Sequence, residues 1–153
     1  PDRPADVHVP AEGRRLNLDI EVVTAPQALG AATEVARRVL APGRPRPTAV
    51  FCFTDSIAYG VYAAAAELGV RIPDDLSVMG YDDHRMSALL TPGLASVNWN
   101  LDGIVRAAVR LVVAAVEGGG PVRRRRIVQA PELRERGSVA RLSRDPGSGR
   151  AAR

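Results

Sequence analysis

"LSVMGYDDHRMSALLTPGLASVNW", residues 76–99, holds two short apolar runs, Leu76–Tyr81 and Leu94–Trp99, around a polar stretch that contains Pro92. Each run has strand length and is bounded by turn-forming residues, so each reads as a strand. The first ends abruptly on two adjacent carboxylates, Asp82 and Asp83. Unpaired acids at the end of a buried strand are costly. Either they cap the next element, or something outside the chain meets them.

Working outward, "TAVFCF" (Thr48–Phe53) is continuously apolar after its threonine and reads as a strand buried on both faces. A helix over Ser56–Leu68 follows at once, with Thr54 or Asp55 as N-cap and Gly69 as C-cap. Upstream, Pro26–Ala41 has helical spacing at Leu29, Ala32, Ala36, Val39 and Leu40, and it stops before "PGRPRP". "LDIEVV" (Leu18–Val23) is a short strand candidate, "VRIPDD" a turn, and His84–Leu90 a short helix. Leu101–Gly119 is a long amphipathic helix with Ile104, Ala108, Leu111, Val112 and Ala115 on one face. A last strand is expected around Ile127–Ala130. Strands alternating with helices across short loops predict an α/β fold with a mostly parallel sheet flanked by helices. Residues 1–15 read as an irregular N-terminal segment, 16–139 as the folded part, and 140–153 as a disordered, Gly-rich polar tail.

In such sheets ligands bind beyond the carboxyl ends of the strands. Those ends deliver Thr54 with Asp55, then Asp82 with Asp83, then Trp99, the sole tryptophan.

The 153 residues suffice for one core, and at 4% aromatic content that core must be aliphatic. All 21 Lys and Arg positions are arginine, which reflects coding bias more than chemistry, so the net charge of +4 argues only weakly for nucleic acid. The arginine run Arg123–Arg126 has no interleaved aromatic and reads as a solvated connector. Cys52 is the one cysteine, which excludes an internal disulfide and a cysteine metal cluster and fits a cytoplasmic location. No metal or cofactor is expected: His8 and His84 lack ligand spacing, and neither a phosphate loop nor a nucleophile elbow occurs. No apolar run reaches membrane-spanning length.

Three stretches carry a resemblance: "PTAVFCFTDSIAYGVYAAAAELGVRIPDDLSVMGYDD", "TPGLASV" and "PELRERGSV". In this order and spacing, Pro47–Val139 resembles the effector-binding region of the lactose-repressor/galactose-repressor (LacI/GalR) family of bacterial transcription regulators. The resemblance implies a fold similar to periplasmic binding proteins, two α/β subdomains around a cleft, of which this sequence looks like the C-terminal one. It implies a small-molecule effector, a carbohydrate or nucleoside-like compound, and operator DNA bound only through an N-terminal helix-turn-helix that has no counterpart in these residues. Asp82 matches the family's ligand-facing acid, and Asp83 reads as a cap. Thr54 stands where the family has Asn, Asp55 where it has the Asp that begins the helix, and Trp99 where a Gln is common. Ligand contacts are therefore expected at Thr54, Asp82, Trp99 and Asp55, with a helix cap as the competing role at Thr54 and Asp55 and ordinary packing at Trp99.

The Ser56–Leu68 helix is apolar nearly all round, as a helix buried on both sides would be. The family forms dimers through this helix and the stretch matching "ALLTPGL". A homodimer is therefore expected through Tyr59, Tyr62, Leu89 and Leu90, unless another subdomain covers them. Three function classes compete: the sensing and dimerising part of a transcriptional regulator, a fragment of a periplasmic sugar-binding protein of a transporter, and a small α/β enzyme. The ending "PELRERGSV" favours the first, and no nucleophile–base pair supports the third, so a non-enzyme is expected.

Overall fold

The computed structural model describes residues 13–43, 45–117 and 127–141. Its elements are α1 (Leu29–Leu40), β1 (Ala49–Phe51), α2 (Asp55–Glu67), β2 (Ser77–Tyr81), a 3-10 turn (Arg85–Leu89), β3 (Ala95–Asn98), α3 (Leu101–Glu117) and β4 (Glu132–Arg134). The sheet runs in the order β1-β2-β3-β4. β1 and β2 are parallel, as are β2 and β3, while β4 returns antiparallel to β3. This is the expected α/β class, a mostly parallel sheet flanked by helices.

α2 starts where its capping chemistry dictates. Thr54 is extended, and its hydroxyl accepts a hydrogen bond from the Ile57 N–H at 3.4 Å. Gly69, just past the end, takes the left-handed φ of 66° that favours glycine. α2 lies on β2, and α1 lies on α2. Gly60 permits that second contact: a Cβ there would sit 2.7 Å from the Ala32 Cβ and 2.8 Å from the Thr33 nitrogen. The core joins Ala36 and Leu40 of α1, Ala58, Val61, Ala64 and Ala65 of α2, and Leu76, Val78 and Leu94 around the sheet. Each fully buried leucine contributes about 1.5–3 kcal/mol.

Several expectations are corrected. Leu18–Val23 forms no strand, because none of the described strands lies beside it to pair its backbone. Gly13–Arg15, expected irregular, closes a helical turn, with Leu18 N–H donating to Gly13 O at 2.8 Å. β1 is not buried on both faces: Phe51 and Phe53 are exposed on the side away from α2. The last strand is Glu132–Arg134 rather than Ile127–Ala130. Pairing with β3 sets its place, with Val97 opposite Leu133.

α3 forms where expected, but only Ala107 along it is buried, and Ile104, Ala108 and Val112 are exposed. The all-round apolar α2 has its explanation within the chain, since it is sandwiched between the sheet and α1. His8, the end of the α3 expectation at Gly118–Gly119, the run Arg123–Arg126 and most of the expected tail lie outside the described residues.

Candidate functional site

β2 carries the site. Gly80 and Ser96 face each other across the parallel pair β2–β3. Both point toward the start of α2, where Asp55 is only 1% exposed. Asp55 Oδ1 accepts from Ser96 Oγ at 2.7 Å, and Oδ2 accepts from Ser87 Oγ at 2.5 Å and from the His84 N–H at 2.8 Å. Three donors satisfy a charge that would otherwise be expensive to bury. Asp55, expected among the ligand contacts, is thus an internal anchor that ties α2, the 3-10 turn and β3 together.

Above this anchor the chain leaves β2 in a backbone geometry that side chains rarely adopt, with φ of 116° at Asp82 and 54° at Asp83. The Asp82 N–H still donates to Val97 O at 3.0 Å, so the residue remains at the end of the sheet. Its side chain is exposed and accepts no hydrogen bond among the described residues. Partial burial, followed by the Asp55 charge, pushes its carboxyl above the usual range, and His84 opposes this.

Asp83 turns the other way. Arg136 Nη2 donates to its Oδ1 at 2.5 Å and Asn98 Nδ2 to its Oδ2 at 2.9 Å. Burial acts to raise its carboxyl, but these bonds and the charges of Arg136 and Arg134 outweigh it and hold it below the usual range.

Phe51 aligns with Met79, and Met79 with Ala95. Three residues on, beyond the C-terminal ends of β1 and β2 and at that of β3, come Thr54, Asp82 and Asn98. Trp99 follows, half-buried. Thr54 is buried apart from its capping role. The rim therefore offers one exposed carboxylate, a nearly buried hydroxyl and an indole, with the exposed Phe53 preceding Thr54 in the chain. Such a set can accept hydrogen bonds from hydroxyls and stack on a flat apolar ring face. Among the described residues no group of three or more His, Cys, Asp or Glu could hold a metal ion.

The expected dimer residues are partly engaged internally. Tyr59 OH is 2.9 Å from Ser87 Oγ, Tyr62 OH donates to Pro92 O at 2.9 Å, and Leu90 packs on the core. Leu89 alone among them is largely free, at 73% exposure. The sequence reading missed Gly80, Ser87, Ser96, Arg136 and Ser138. Ser138, fully buried, donates to Val78 O at 2.6 Å and accepts from the Ala95 N–H at 2.8 Å, stitching the starts of β2 and β3 together. Its one sequence signal is its place in "PELRERGSV".

Residues 9–139 match the periplasmic binding protein-like domain. The chain belongs to that family, in its LacI-type branch. This LacI-type chain is 54% identical over 52 residues to the ribose operon repressor of Haemophilus influenzae, covering 34% of the chain and 16% of that protein. It is 38% identical over 99 residues to the HTH-type transcriptional repressor PurR of Salmonella arizonae, covering 62% of the chain and 28% of the relative. Among solved structures it is similar to a LacI family transcriptional regulator from Arthrobacter sp. FB24 in complex with lactose. That match has a TM-score of 0.78 at 28% identity and covers 86% of this chain and 49% of that one. The chain thus spans about half the length of the solved relative and less than a third of either curated one. No helix among the described residues is long and apolar enough to cross a membrane.

Proposed function

We propose that this LacI-type domain senses a small polyhydroxylated effector, a sugar or nucleoside-like compound, at the rim formed by Asp82, Thr54 and Trp99. The observation that carries the reading is the contrast among three acids. Asp55 and Asp83 are saturated by internal donors, whereas Asp82 is held exposed at the end of β2 with its carboxylate open. A carboxylate so placed accepts from two vicinal hydroxyls while an indole covers a ring face. The lactose-bound relative and the repressor relatives support this class of ligand and a regulatory role. Binding would bias a two-state equilibrium by its differential affinity for the two states. Operator DNA would be contacted by a part of the protein outside this chain. Self-association of the whole protein would use the exposed Leu89 with Leu90, Tyr59 and Tyr62 at its margin. Replacing Leu89 with Asp should then yield monomers in sedimentation, and an unchanged dimer would place the interface elsewhere.

Calorimetric titration of lactose, maltose, ribose and a purine nucleoside into the full-length protein and its Asp82→Ala variant tests the site. One charge-assisted hydrogen bond is worth about 1.5–3 kcal/mol, so the variant should bind roughly 10- to 100-fold more weakly. Equal affinity in the two proteins would refute the assignment.

A further inference from the structure

Asp83 neighbours Asp82 in sequence, and a short chain of hydrogen bonds links it to Asn98 and Asn100, the residues on either side of Trp99. Its side chain is 12% exposed, with Oδ1 on Arg136 and Oδ2 on Asn98, and Arg134 Nε stands 3.6 Å away. Its backbone N–H donates to Ser96 Oγ at 3.0 Å, the same hydroxyl that donates to Asp55. Arg136 is itself fixed, because Nη1 donates to Leu94 O at 2.7 Å. On the other side, Asn98 Oδ1 accepts from the Asn100 N–H at 2.7 Å, so the residues flanking Trp99 are bound to each other around it. Asn100 too has a left-handed φ, 57°. The left-handed positions Asp83 and Asn100 are therefore joined through the Asn98 side chain, which donates to the Asp83 carboxylate and accepts from the Asn100 N–H. Asp82 and Trp99 are their immediate neighbours in the chain. Such conformations persist where the surroundings over-determine them.

We infer that Asp83, clamped by Arg136, is a positioning residue that sets the placement of both Asp82 and Trp99 and so the ligand selectivity of the rim. This inference rests on the effector-rim reading above. Asp83 contacts no ligand itself. Its carboxylate needs two donors at fixed angles, which the planar fork of Arg136 and the amide of Asn98 supply.

Trp99 is the sole tryptophan of these 153 residues, so in this chain its fluorescence reports the rim. Asp83→Asn, Arg136→Lys and Arg134→Ala are compared with the wild type as complete chains by acrylamide quenching of Trp99 and by lactose titration. Asp83→Asn should raise quenching at least twofold and weaken lactose binding tenfold or more. Arg136→Lys, which keeps the charge and loses the fork, should fall between. Arg134→Ala, which removes a charge 3.6 Å from Asp83 but no hydrogen bond to it, should move both readouts less than Arg136→Lys. Wild-type quenching and affinity in Asp83→Asn, with only a lower melting temperature, would overturn the inference and leave Asp83 a stabilising residue. If Asp83→Asn fails to fold, Asn98→Ala removes one arm of the clamp, and an unmoved Trp99 signal there overturns the inference equally. If the full-length wild type binds neither lactose, maltose, ribose nor a nucleoside, the effector reading fails, and the quenching series alone still decides whether Asp83 positions Trp99.

Discussion

The Asp55 carboxylate fills the space that a side chain at position 80 would occupy. Gly80 is there because the anchor of α2 must reach Ser96 across the strand. Gly80→Ala should therefore evict or distort Asp55 and leave a buried charge short of donors. Overpacking costs about 1–3 kcal/mol, and breaking a buried charged network about 3–5 kcal/mol. Urea unfolding should show a loss of that order, and a loss below about 0.5 kcal/mol would refute the packing argument.

Gly60 and Gly30 should respond oppositely to alanine. Gly60 has the backbone of Thr33 within 2.8 Å of its would-be Cβ, whereas Gly30 has nothing within 4 Å. Gly60→Ala should destabilise by about 1–3 kcal/mol despite its better helix propensity. Gly30→Ala, near the start of α1, should stabilise by up to about 1 kcal/mol. Denaturant midpoints of the pair provide the check.

Asp82 is expected to be bad for stability. Its carboxyl lies above its ordinary 3.8, so its contribution to folding is present below that pH and is lost as pH rises through the folded value. At neutral pH the charged form is a net cost, on top of its unusual φ. Asp82→Asn should raise the urea midpoint at pH 7 and leave it unchanged near pH 2.5. Asp82→Gly should stabilise as well, by about 1 kcal/mol from relieved backbone strain. Both should weaken effector binding by no more than the roughly 10- to 100-fold expected of Asp82→Ala.

Asp83 has the opposite sign. Its carboxyl lies below 3.8, so its stabilisation is full above that pH and is lost as pH falls through the folded value. Arg136→Gln removes the largest opposing charge and should move the acid-unfolding midpoint to higher pH. An unmoved midpoint in circular dichroism would show that the pair contributes no net stability.

Cys52 should be silent in the native state. It is buried, and burial with the nearby Asp55 charge pushes its thiol up to about 12. A chromogenic disulfide reagent at pH 8 should react with it only after urea is added. Rapid native labelling would indicate local opening of the sheet.

The rhythm of strands and helices, a cap at Thr54 or Asp55 and the Gly69 stop of α2, and the placing of Asp82 at a strand end were legible in the residues; that Thr54 rather than Asp55 is the cap was not. These features arise from chemistry within a few positions along the chain: apolar period, capping oxygens and a glycine where φ must be positive. Local pattern alone does not say which of three acids faces outward; only the family resemblance singled out Asp82. Asp55, Asp82 and Asp83 look alike in sequence, and their fates are set by partners far along the chain. Ser96 lies 41 residues from Asp55, and Arg136 lies 53 from Asp83. The shift of β4 to Glu132–Arg134 and the open face of α3 have the same origin. Local pattern says that an element is apolar, but only the folded chain says what comes to cover it.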